Sequence, residues 1–255
     1  MLEKMKDLKG FTLEALDGHI GSVEEFYFDD KHWTVRYLVV DTGSWLIGRE
    51  VLISPYAISS VDKERKTISV NLTRKQIGDS PSPTSHRPVS RPFEVAYNSY
   101  YGWPSYWAGP YAWGCYPFAG LALEHWDRAR DKAETEDRHL RSSKDVTGYH
   151  IQASDGEVGH VEDFVIDGES WSIRYLVIDT TNWLPGKKVL ISPRWIGSIE
   201  WLEAKVYVFL TQEDIRTSPE YSETILVDRE YEALLHKHYG REGYWNADQV
   251  HMRQP

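Results

Sequence analysis

The chain carries the same pattern twice. Residues 10–107 align on residues 148–245 without a gap at a constant offset of 138, and 39 of the 98 paired positions are identical. The densest match pairs Trp33 to Asp41, WTVRYLVVD, with Trp171 to Asp179, WSIRYLVID, and Val51 to Pro55 with Val189 to Pro193. A repeat of this length means two copies of one domain. At 255 residues the chain therefore divides into two small domains instead of one large one. Domains of this size bury only about 60% of their unfolded surface, so each gains from further packing, and self-association is expected. The boundaries read from the pattern are 1–82 and 148–220 for the two domains, 83–147 for an arm and charged linker, and 221–255 for a C-terminal helix and tail.

Each copy consists of short strands punctuated by turn signals. Phe11 to Leu16 alternates and meets Asp17-Gly18; Tyr149 to Ser154 does the same before Asp155-Gly156, a strong hairpin signal. Val23 to Phe28 is the return strand, and Gly21 and Gly159 stand where a bulge or tight turn needs them. In the next strand Trp33, Val35, Tyr37, Val39 and Asp41 share one face and Thr34, Arg36, Leu38 and Val40 the other. Apolar groups on both faces predict a central strand. Leu52 to Ser54, Ala57 to Val61 and Thr67 to Leu72 continue the pattern, with no alternating helices. The expected fold is mainly β, with two tandem small antiparallel β-barrels, each followed by short helices and an aromatic arm.

Thr73 and Thr211 read as N-caps of one short helix in each copy, the first with capping-box spacing to Gln76. A second helix is predicted from Ser90 or Asp228 to Tyr101 or Tyr239, stopped by Gly102 or Gly240. Between the copies, Tyr97 to Phe118 is crowded with Trp, Tyr, Gly and Pro and is not expected to be helical, whereas the charged stretch Leu121 to Lys144 is expected to form one exposed helix. The rings could stack a ligand or cover apolar surface; covering is favoured because Tyr101-Gly-Trp-Pro-Ser-Tyr-Trp107 recurs as Tyr239-Gly-Arg-Glu-Gly-Tyr-Trp245. The candidate interaction surface is accordingly Tyr101, Trp103, Tyr106, Trp107, Trp113, Tyr239, Tyr244 and Trp245.

Little in the chain points to catalysis. Val39-Val-Asp-Thr-Gly-Ser44 has the look of an aspartic-protease strand, and Asp179-Thr-Thr-Asn follows in the repeat, but Thr181 replaces the glycine that a paired-carboxylate site needs. Asp41 and Asp179 are expected to receive backbone hydrogen bonds in the following turn. His236 and His238 are two residues apart, so on a helix they diverge and cannot share a metal. No phosphate loop, GxSxG or HExxH motif occurs. No catalytic residue, cofactor or metal is therefore expected.

The single cysteine, Cys115, fits a reducing compartment. No secretory leader or 18-residue apolar run is apparent, and a cytoplasmic location is expected, with peripheral association to a membrane complex as a variant. The net charge of −10, without a basic face, argues against general nucleic-acid binding.

Asp17-Gly18, Gly21-Ser-Val-Glu-Glu-Phe26, Arg36 to Thr42, Trp45-Leu46, Gly48, Val51 to Pro55 and Ile58 occur in that order, and again in the second copy with a few changes. This pattern resembles the PRC-barrel family, known from the photosynthetic reaction-centre H subunit and from ribosome maturation factors. The resemblance implies a docking or assembly module with no shared catalytic residue. A non-enzymatic interaction or scaffold protein with an unnamed protein partner is the leading expectation. A peripheral accessory of a photosynthetic or quinone-linked electron-transfer complex, or a ribosome-maturation role, is the alternative.

Overall fold

A computed structural model describes residues 2–47, 49–82, 89–124, 140–181, 183 and 186–245. In chain order the first repeat holds β1 (Leu2–Lys4), α1 (Met5–Leu8), β2 (Thr12–Ala15), β3 (Gly18–Asp29), β4 (Thr34–Asp41), β5 (Glu50–Ile53), β6 (Ile58–Asp62), β7 (Thr67–Val70), α2 (Arg74–Gly78) and α3 (Arg91–Tyr101). After α4 (Ala119–Glu124), the second holds β8 (Leu140–Ser142), α5 (Ser143–Val146), β9 (His150–Ala153), β10 (Gly156–Asp167), β11 (Ile173–Asp179), β12 (Lys188–Ile191), β13 (Ile196–Glu200), β14 (Lys205–Val208), α6 (Gln212–Arg216) and α7 (Arg229–His238).

The strands form two seven-stranded sheets ordered β5-β4-β3-β2-β7-β6 and β12-β11-β10-β9-β14-β13, with β8 added to β3 and β1 to β10. Within otherwise antiparallel sheets, β2 runs parallel to β7 and β14 parallel to β9. Among the described residues two compact units result: those of 3–146 with 166–173, and those of 147–165 with 174–245 and Leu2. In the first, Tyr27, Phe28 and Asp29 pair with Ser142, Arg141 and Leu140.

The expected single helix over Leu121 to Lys144 is not what forms. Its start is α4, 125–139 lie outside the described residues, and Leu140 to Ser142 is a strand. The sequence hint is small: Leu140, Lys144, Asp145 and Gly148 repeat Leu2, Lys6, Asp7 and Gly10, so each copy begins with a leader strand and one helical turn. Tyr97 to Tyr101 is helical as the last turns of α3, which Gly102 ends in a left-handed conformation (φ 72°).

The turn chemistry decides much of the rest. A Cβ on Gly21 would lie 1.9 Å from the Asp41 carbonyl oxygen, and one on Gly159 2.1 Å from that of Asp179. Both glycines sit beside positions where the hairpin ladder skips a residue. Thr73 and Gln76 close a capping box on α2, and Thr211 closes the same box with Asp214 on α6, a pairing the shorter Asp side chain also permits. The hairpin aspartates add a second cap: Asp17 accepts from Arg74 N at 2.7 Å and Asp155 from Gln212 N at 2.7 Å. The far ends are held by cations. Arg49 donates to the carbonyls of Gly78 and Ser80, and Lys187 to those of Arg216 and Ser218.

β4 is buried on both faces from Thr34 to Val40, yet it is second from the edge and not central. Its outer face is covered by α3 and the aromatic arm, which explains burial without a central position. Trp33 and Trp171 start the strands at φ 51° and 59°, an uncommon backbone for bulky residues that costs on the order of 1–3 kcal/mol. Within the first unit their carbonyls receive Ile173 N at 2.6 Å and Val35 N at 2.9 Å, which helps to hold that conformation.

Candidate functional site

Strand alternation places Arg36 and Tyr37 on opposite faces, but the structure brings both against the arm. The β3–β4 ladder pairs Tyr27 with Tyr37 and Phe28 with Val35, skipping Arg36, so a bulge turns both side chains toward the same cover. Arg36 is fully buried. Its Nε donates to Asp29 Oδ2 at 2.6 Å, and its guanidinium lies 3.8 Å from the Tyr106 ring centre and 4.7 Å from that of Trp113. Burial alone would raise the Asp29 carboxyl, but Arg36 and the bonds from His32 outweigh it and hold it below the ordinary carboxylate value.

Tyr37 reaches the first turn of α3. Its hydroxyl donates to Glu94 Oε1 at 3.2 Å, the Tyr106 hydroxyl donates to the same oxygen at 2.6 Å, and Arg91 Nη1 donates to Oε2 at 2.9 Å. Glu94 is 1% exposed, and burial pushes its carboxyl up to about 7 against the pull of Arg91 and the two hydroxyls. Around this knot the rings interlock. Tyr97 meets Tyr37 edge-on at 5.3 Å and donates to Leu52 O; Tyr101 stacks on Trp103 at 4.3 Å; Trp113 meets Tyr56 at 4.8 Å and donates to Ser170 O.

The second unit repeats the knot at the same offset. Arg174 lies 3.9 Å over the Tyr244 ring, the Tyr175 hydroxyl donates to Glu232 Oε1 at 2.8 Å, and Arg229 sits 3.1 Å from Glu232 Oε2 and 4.3 Å over Trp245. The repeated set is thus Arg36, Tyr37, Arg91, Glu94, Tyr106 and Trp107 with Arg174, Tyr175, Arg229, Glu232, Tyr244 and Trp245. Its chemistry is that of a fastener: the carboxylate takes up the hydroxyl and guanidinium donors of its own knot, and cations lie flat on the rings of the arm.

Of the eight aromatic candidates, Trp103, Tyr106, Trp113, Tyr239 and Tyr244 are buried, and Tyr101, Trp107 and Trp245 are half-buried. Their π-faces are largely occupied within their own unit. Arg91, Glu94 and their partners carried no motif; the available signal was that Arg91 and Glu94 recur as Arg229 and Glu232 in a helix whose other residues mostly differ between the copies. Asp41 Oδ1 accepts Gly43 N at 2.9 Å and Asp179 Oδ1 accepts Thr181 N at 2.7 Å, each within its own turn. Among the described residues no group of three or more His, Cys, Asp or Glu could hold a metal ion. Cys115 is exposed and donates to Ala108 O.

The sequence profile of the PRC-barrel domain matches residues 4–77 and 140–214, more than half of the chain. The chain belongs to the PRC-barrel family. No curated protein matches it. The first PRC-barrel segment begins at Lys4, the last residue of β1, and the second at Leu140, the first residue of β8. Arg36 and Tyr37 lie inside the first PRC-barrel segment, whereas Arg91, Glu94 and Tyr106 lie beyond it. Each barrel supplies one half of the knot and the arm that follows it the other. Among the described residues no helix is long and apolar enough to cross a membrane.

Proposed function

We propose that this chain is a non-enzymatic interaction module whose two PRC-barrels share a folding core but offer different outer surfaces, the second being the contact for a protein partner. The observation that carries this reading is the contrast at exposed positions between copies. Leu202 and Phe209 are exposed in the second barrel, where the first has exposed Glu64 and Asn71. Both stand on or beside the β13–β14 hairpin, and the Phe209 ring lies over Gly197, where an added Cβ would come within 2.9 Å of it; the first copy has Ser59 there. A barrel of this fold does not need those apolar groups outside, because the first copy does without them. Large apolar side chains grouped on an outer surface, and not scattered singly, mark a contact surface, and Leu202 and Phe209 fall together at the β13–β14 hairpin, whereas the exposed Leu16 and Ile47 of the first copy stand in separate turns.

Affinity purification of the full chain from native cells, beside a Leu202→Glu/Phe209→Asn variant carrying the first copy's residues, tests the reading. Partners recovered with the parent chain and lost with an equally stable variant support it. Identical recovery by both removes the second barrel from the proposal. Robust turnover of a peptide, ester, phosphate or glycoside substrate, abolished by Asp41→Asn, would sink the non-enzymatic reading itself. Self-association belongs to the same reading, and light scattering that finds a strict monomer would delete it.

A further inference from the structure

The sheet of the second unit ends on β13, which among the described residues pairs only with β14, and β14 skips Gly197. An edge of this kind presents backbone N–H and C=O groups that a further strand can complete. Opposite charges mark its two ends. Arg194 stands exposed in the turn Pro193–Trp195 that leads into the strand, and Glu200 stands exposed as its last residue. Among the described residues neither side chain has an ion-pair partner, whereas Lys205 and Glu203 beside them pair with each other at 3.0 Å. Gly197 lies midway between the two charges.

The first copy has the same edge, β6, without these features. Buried Tyr56 stands in place of Arg194, and Ser59, whose hydroxyl donates to Ser69 O at 3.1 Å, in place of Gly197. Asp62 stands in place of Glu200 and is already engaged, accepting Arg65 N at 2.9 Å with the Arg65 Nε at 3.8 Å. The turn after β6 is Lys63-Glu-Arg-Lys66, where the second copy has Trp201-Leu-Glu-Ala204. Charged residues at an edge keep other strands away. By that measure β6 is guarded and β13 is not.

We propose that β13 is the seam of a homodimer, in which the β13 edges of two chains run antiparallel about Gly197. A strand with a cation at one end and an anion at the other complements a copy of itself in that direction alone. Antiparallel pairing brings Arg194 of each chain to the partner's Glu200, whereas parallel pairing would set like charges together. The glycines at the centre let the two backbones close up. Each Phe209 ring lies over its own Gly197, so the two rings come together on one face of the joined sheet and bury each other. The proposal rests on the reading of the second barrel as the contact surface and names a second copy of this chain as the partner.

Analytical ultracentrifugation of the full chain over a concentration series tests the seam. The parent is expected to sediment as a dimer, and Arg194→Glu and Glu200→Arg, both exposed changes, are each expected to weaken it by at least about tenfold. An equimolar mixture of the two variants is expected to regain the dimer, because each supplies the charges that the other lacks. Asp62→Arg, the matching change in the first copy, is expected to leave the dimer intact. A parent that stays monomeric, or a dimer indifferent to both reversals, overturns the proposal. A monomeric parent whose captured partners still depend on Leu202 and Phe209 gives this surface to a foreign protein and leaves the second-barrel reading standing. A dimer restored by mixing, with capture indifferent to Leu202 and Phe209, supports the seam and removes the foreign partner.

Discussion

The guanidinium of Arg36 lies 3.8 Å from the centre of the Tyr106 ring, and that of Arg174 lies 3.9 Å from the ring of Tyr244. One contact, made twice, ties each barrel to the arm that follows it. The arginine comes from a strand of the PRC-barrel segment and the tyrosine from outside it.

Removing the first of these arginines should be severe. Arg36→Ala leaves the Asp29 carboxylate buried without its guanidinium, which costs about 3–5 kcal/mol where a buried pair is broken. Arg174 is only half-buried, so Arg174→Ala should cost less. Urea denaturation of the two variants checks the order, which the geometry requires to be Arg36 first.

Glu94 makes stability depend on pH. Its folded value of about 7 lies above the ordinary 4.5, so its contribution is present below about pH 4.5 and is lost as pH rises through 7. Glu94→Gln, which cannot ionise, should flatten that slope, by up to about 3 kcal/mol between pH 4.5 and 7.5. Denaturation midpoints of parent and variant across this range measure it; parallel profiles would refute a titrating Glu94.

Two glycine substitutions separate crowding from backbone strain. Gly21→Ala drives a methyl into the Asp41 carbonyl and should cost more than about 2 kcal/mol. Gly102→Ala meets open space and only the left-handed φ of 72°, a cost of about 1 kcal/mol. Comparable losses in thermal melts of the two would contradict the close approach at Gly21.

The capping box offers a local check. Thr73→Ala and Thr211→Ala each remove a bond to the third helical residue, from Gln76 N at 3.2 Å and Asp214 N at 3.1 Å. Each should cost about 1 kcal/mol by chemical denaturation, and similar costs are expected because both boxes are closed.

Much of this architecture was written locally. Asp17-Gly18, Gly21, the Thr73 cap and Gly102 act within a few residues of themselves, so their roles follow from residue type and spacing. The leader strand at Leu140 left only the faint match to Leu2, because three residues carry no periodicity and their hydrogen bonds go to β3, more than a hundred residues away. Alternation puts Arg36 and Tyr37 on opposite faces because it assumes an unbroken ladder, and nothing in RYLVVD announces the bulge.

By itself, then, the sequence determined that one small β-fold is made twice, where its turns and caps fall, and which family it belongs to. Only the tertiary structure decided what the aromatic arms and buried charges are for. A guanidinium, a carboxylate and a ring acquire their energetic meaning from partners that the folded chain brings within 4 Å and shields from water, and no local spacing encodes that distance.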